Sequence, residues 1–146
     1  MLKIESITLI NRPVEDVFVV LSDLENNPKW DSGALEAKKT SGGRIGVGTT
    51  WRLVQKAFGK QLEVKAEFIE YEPHRKTTLK VSSVLFPGAL RRTYERVEGG
   101  TRVSHVMEIE PGGFIRLSEP LFMNIMKRGL ETDLAALKDL MEAHAL

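Results

Sequence analysis

Two periods divide this chain. From Leu35 to Glu110, apolar and polar residues alternate in short runs cut by turn residues. From Ser118 to about Ala143, Leu121, Phe122, Ile125, Met126, Leu130, Leu134, Leu137 and Met141 recur at spacings of three and four. The first pattern predicts strands and the second one long amphipathic helix. Leu2 to Ile10, rich in Ile, Leu and Thr, predicts a first strand, stopped by Asn11-Arg12-Pro13. Pro13 suits the first turn of a helix, with Asn11 or Arg12 near the cap, and Glu15 and Asp16 complement its dipole. Val14, Val17, Phe18 and Leu21 then give a short helix, and Ser22 or Asp23 caps a second one ending at Asn26-Asn27-Pro28.

Further strands are predicted over Leu35–Thr40, Thr49–Ala57, Lys60–Tyr71, Lys76–Leu85, Leu90–Val97 and Thr101–Ile109. Phe58-Gly59 joins the clearest hairpin, and Pro111-Gly112-Gly113 leads to the long helix. The order is a strand, two short helices, a meander of about six strands, then one long helix. That is an α+β fold with an antiparallel sheet, expected as one domain over residues 1–146. The long helix buries its stripe only by lying across the sheet, and a sheet curled around it leaves a cavity between them.

Composition narrows the function. Hydrophobic residues make up 42% and charged residues 28%, with a net charge of +1, so charge alone does not recruit nucleic acid or anionic lipid. There is no cysteine, which removes disulfides, thiol nucleophiles and thiolate metal sites. No apolar run approaches the roughly 20 residues needed to cross a bilayer, and Met1 to Pro13, short and interrupted, is not expected to act as a signal peptide. The expected location is the cytosol.

The order of elements, together with Ile10 to Phe18, Asp23 to Trp30, Gly46-Val47-Gly48-Thr49-Thr50-Trp51, Tyr71-Glu72-Pro73, Gly99-Gly100-Thr101-Arg102-Val103 and Leu134 to Glu142, resembles the START-related SRPBCC superfamily over essentially the whole chain. The branch it looks like is polyketide cyclase/dehydrase and lipid transport. The resemblance implies a helix-grip fold: a curved seven-stranded antiparallel sheet wrapped around the C-terminal helix, with two short helices after the first strand. It also implies a cavity for lipids, polyketides or aromatic compounds. Some members are cyclases.

The candidates for chemistry are few. Gly42 to Gly48 lacks the spacing of a dinucleotide or P-loop fingerprint and reads as a strand connection. His105 shares a strand face with Met107 and Ile109 and is expected inside. Leu90-Arg91-Arg92-Thr93-Tyr94-Glu95 brings charge inward whichever face is inside, and parity alone leaves that face open. His105, Tyr94, Arg92 and Arg52 are the candidates for proton chemistry; Trp30, Trp51, Leu53, Phe68, His105, Met107, Phe122 and Met126 are those for a cavity wall. Gly129 either admits a close neighbour or is a tolerated weak point. No metal is expected, because no second ligand stands at suitable spacing beside His105, and no cofactor.

Three functions fit. The first is binding of a small hydrophobic or amphipathic ligand, by a monomer or homodimer. The second is a cyclase/dehydrase-type enzyme abstracting a proton beside a carbonyl. The third is a protein-interaction module. Whether the chain is an enzyme stays open at this level.

Overall fold

Along Lys60–Glu72, Val64, Ala66 and Phe68 are buried while Glu63, Lys65 and Glu67 between them are exposed. Such a strand covers a core with one face only. In a computed structural model, which describes residues 2–57, 59–83, 87–110 and 119–146, seven strands share this role. They are β1 (Leu2–Ile10), β2 (Ala34–Lys39), β3 (Thr50–Ala57), β4 (Lys60–Glu72), β5 (Lys76–Ser82), β6 (Gly88–Val97) and β7 (Gly100–Ile109). They form one antiparallel sheet in the order β1-β7-β6-β5-β4-β3-β2. A bulge between Phe68 and Glu70 shifts the alternation in β4, so Phe68 and Tyr71 both face the core. The hairpin residue Phe58 and the connection from Pro111 to Ser118 lie outside the described residues.

Helix α1 (Val14–Ser22) buries Val14, Val17, Phe18 and Leu21. Its N-cap is Pro13 and has no side-chain cap, so Asn11 and Arg12 serve elsewhere. Arg12 donates to the carbonyls of Met141 and Leu146, and the Asn11 N–H donates to Glu142. A 3-10 helix (Leu24–Lys29) follows, capped by Asp23, whose Oδ1 accepts from the Glu25 N–H at 3.1 Å. Gly100 is fixed by space: its φ is 148°, and a Cβ there would stand 2.1 Å from the Ile10 carbonyl oxygen.

Helix α2 (Glu119–Glu142) is the long helix. Phe122, Leu134, Leu137 and Met141 are buried and Met126 and Leu130 half-buried, but Leu121 and Ile125 are 61% and 47% exposed. The expectation of one continuous buried stripe is corrected at those two positions. The cause is where the helix sits. Met123 and Lys127 face β1 beside Lys3 and Glu5. At 3.6 residues per turn, Leu121 and Ile125 then fall on the flank away from β1.

The core divides accordingly. One cluster joins α1, the end of α2, Trp30, Tyr94 and Val103; a second joins Phe122 of α2 to Leu2, Ile4 and Ile109. A third holds Leu24, Trp51, Leu53, Val64, Ala66, Phe68 and Leu79 and contains no α2 residue. Each large side chain buried there contributes roughly 1.5–3 kcal/mol. The inner face of β3–β5 and helix α2 therefore belong to different clusters, with β6 and β7 between them in the sheet order. Half-buried residues Val81, Leu90 and Met107 lie between them.

Candidate functional site

Strand pairing lines up polar residues across the inner face. Ser6 of β1 stands opposite His105 of β7, His105 opposite Arg92 of β6, Arg92 opposite Thr77 of β5, and Thr77 opposite Tyr71 of β4. The adjoining row, Ile4, Met107, Leu90 and Leu79, is apolar. The inner face thus has a polar band beside an apolar one, with Tyr94 and Val103 on the far side of the polar band.

Arg92 is its centre. It is 6% exposed, and its Nε donates to His105 Nδ1 at 3.3 Å while Nη1 donates to the Leu21 carbonyl at 3.2 Å, near the end of α1. Its guanidinium stands 5.8 Å from the centre of the Trp30 ring, a cation–π distance. Burial lowers its pKa, yet an arginine stays charged in a protein.

His105 is held neutral. Burial, then the charge of Arg92, pushes its pKa down to about 3. Because Nδ1 accepts from Arg92, the ring proton belongs on Nε2. That Nε2 is buried and has no hydrogen-bond partner among the described residues, as is true of Trp30 Nε1. Burial also raises the pKa of Tyr94. His105 in this state is a hydrogen-bond donor rather than a base.

A carboxyl pair closes the other side. Asp31, next to Trp30, has its pKa pushed up to about 6 by burial and then by the charge of Asp133 on α2. Its Oδ1 accepts from the Gly33 N–H at 2.9 Å, and Asp133 Oδ1 accepts from the Ser32 N–H and hydroxyl at 3.2 and 2.8 Å. These bonds tie the loop before β2 to the helix.

The candidates named from sequence separate here. Trp30, Arg92 and His105 come together, with Tyr94 beside them. Trp51, Leu53 and Phe68 belong to the cluster that holds no described α2 residue, while Met107, Phe122 and Met126 belong to the one around Leu2, Ile4 and Ile109. Arg52 is corrected: it alternates with the buried Trp51 and Leu53, so it faces outward and pairs with Glu36 and Glu63. A methyl group placed on Gly129 would meet no described atom within 4 Å, which makes this glycine a tolerated weak point. Asp31 and Asp133 are not among the candidates the sequence offers. Asp31-Ser32-Gly33 has the composition of a turn, and only the fold brings α2 to it. Two surface depressions, of about 390 and 500 Å³, lie between β1 and α2 and along β3 to β5. Neither touches Arg92, His105 or Asp31.

Residues 1–142 match the family described as "Polyketide cyclase / dehydrase and lipid transport". The chain belongs to this family. No curated protein matches it in sequence. Among solved structures, the protein TTHA0849 from Thermus thermophilus superposes with a TM-score of 0.84 at 20% identity, over 99% of this chain and 100% of that one. The Zhui aromatase/cyclase from Streptomyces sp. R1128 superposes with a TM-score of 0.78 at 12% identity, over 99% and 96%. The Aha1 dimer from Colwellia psychrerythraea gives 0.68 at 17% identity, over 97% of each chain. At these identities the shared property is the helix-grip fold of the polyketide cyclase/dehydrase and lipid transport family. Among the described residues no helix is long and apolar enough to cross a membrane, and no group of His, Asp and Glu is placed to hold a metal.

Proposed function

We propose that this protein, acting as one domain in the cytosol, holds a small hydrophobic or amphipathic molecule between the inner face of its sheet and helix α2. The observation that carries this reading is the division of the core. The wall formed by Trp51, Leu53, Val64, Ala66 and Phe68 receives no side chain from α2 among the described residues, and a band of buried polar groups runs along the floor. An apolar body fits against Leu79, Leu90 and Met107. A polar end fits against Arg92 and His105, where buried donors lack partners. Native mass spectrometry of the purified protein, compared with its denatured mass, tests this. An adduct of a few hundred daltons that is lost on denaturation supports it. A clean mass together with no uptake of the neutral fluorophore 1-aminoanthracene refutes it.

One observation favours a second reading, a cyclase-type enzyme. Asp31, with a pKa of about 6, suits a general base near neutral pH. The Arg92 guanidinium and the His105 Nε2–H suit the oxygen of an enolate formed when Asp31 takes a proton beside a carbonyl. His105 is not the base in this reading, because it is already neutral with its free nitrogen protonated. Asp31→Asn separates the two: it abolishes turnover in an enzyme and leaves binding of a neutral ligand in a carrier.

A further inference from the structure

We propose that the polar end of the bound molecule is a carboxylate, received by the Arg92 guanidinium, the His105 Nε2–H and the indole N–H of Trp30. This rests on the ligand-holding reading above and names the class of ligand.

A buried charge in a protein is normally paired. Arg92 is buried and forms no ion pair among the described residues. Its Nε and Nη1 are taken up by a neutral imidazole and a backbone carbonyl, the Tyr94 hydroxyl beside it is neutral too, and Asp31 acts on it only as a nearby charge. Around it, His105 Nε2 and Trp30 Nε1 are buried without partners, and in this state both only donate. The groups beside the guanidinium therefore ask for an acceptor with negative charge and more than one lone pair. A planar carboxylate meets a guanidinium edge in that way. An alcohol offers a single oxygen and no charge. An amine offers the wrong charge.

The charged neighbours add a signature. The groups facing this end are Arg92 and Tyr94 from β6, His105 from β7, Asp31 from the loop before β2 and Asp133 from α2; burial raises the pKa of Tyr94, so it stays neutral. The charge of Arg92 favours the ionised form of Asp31. An anion seated on Arg92 cancels that influence and adds a like charge, so Asp31 takes up a proton as the ligand binds. Affinity for an anion then increases as pH falls through the range where free Asp31 titrates. Affinity for a neutral ligand does not.

The test is displacement of 1-aminoanthracene, a neutral probe of the apolar walls. Decanoate and 2-naphthoate are compared with decan-1-ol and 2-naphthalenemethanol, which share their carbon skeletons. The acids are expected to bind at least about tenfold more tightly than the alcohols at neutral pH. That preference grows by at least about threefold when the pH is lowered from about 7.5 to 5.5. Arg92→Gln is expected to bring acid and alcohol within about threefold of each other while 1-aminoanthracene still binds. If Arg92→Gln does not fold, Asp31→Asn takes its place: it keeps the acid preference and loses its pH dependence. Equal binding of acid and alcohol by the unmodified protein, with 1-aminoanthracene bound, overturns the carboxylate assignment and leaves the ligand-holding reading standing. Failure of 1-aminoanthracene and all four compounds to bind overturns both.

Discussion

Replacing Asp31 by Asn sets two buried titrations against each other. Asp31 has its pKa raised from 3.8 to about 6 in the fold, and His105 has its pKa lowered from 6.5 to about 3. Between pH 4 and 6 the native protein holds a proton on Asp31 that the unfolded chain has released, so this group adds stability as pH falls. Over the same range the unfolded chain holds a proton on His105 that the native protein excludes, so that group removes stability as pH falls. Each acts with a slope of about 1.4 kcal/mol per pH unit, and with opposite signs the two nearly cancel. Asn stands for the protonated form of Asp31 at every pH and can still accept from the Gly33 N–H. Asp31→Asn is therefore expected to be the more stable protein near neutral pH. Relative to the unmodified protein it should lose about 2.4 kcal/mol between pH 7 and 4. Glu15, Glu70 and Glu142, whose pKa values are lowered by hydrogen bonds and nearby cations, add the same background to both proteins. Urea unfolding at four pH values, followed through the buried Trp30 and Trp51, gives the difference directly. Parallel stability curves would show that Asp31 titrates as a surface carboxyl does and would remove the argument for its burial.

Three further outcomes are expected. Arg92→Met removes the charge that helps hold His105 down, so an NMR titration should find the imidazole pKa moved up, though still below 6.5 because burial remains. Tyr94→Phe deletes a buried hydroxyl that meets Thr77 and Ser22 without a bond of normal geometry, and should change the unfolding free energy in urea by less than about 1 kcal/mol. Two glycines should respond oppositely in thermal melts: Gly129→Ala, in open space within α2, gains about 0.5–1 kcal/mol, and Gly100→Ala, driven against the Ile10 carbonyl, loses about 3 kcal/mol.

The strands and the long helix were legible because burial imposes a period of two or of 3.6. What the pattern left open was phase and distance. Arg91 and Arg92 are equivalent to any period-two argument; pairing decides between them, turning Arg91 outward to Glu108 and Arg92 inward to His105. Leu121 and Ile125 belong to the apolar stripe, but the docking of α2 beside β1 depends on contacts that no local pattern encodes. Arg52 is a strand charge of unknown face until the burial of Trp51 and Leu53 sets the parity. Asp31 was illegible for a different reason. Its raised pKa comes from burial and from Asp133, a residue of the last helix, so the signal exists only after α2 has docked.

The strand order also has a consequence for how the chain is made. Strands β2 to β6 each pair with the strand that follows, so hairpins close as synthesis proceeds. Strand β1 pairs with β7 alone. It leaves the ribosome first and waits for nearly the whole sheet, on the order of ten seconds at ordinary elongation rates. Throughout that wait Leu2, Ile4 and Ile10 are uncovered on one side, and Ile7 and Leu9, which stay exposed even in the finished protein, on the other. An apolar, unpaired strand is the kind of surface that aggregates or engages chaperones, and here the sheet is complete only when β1 returns to β7.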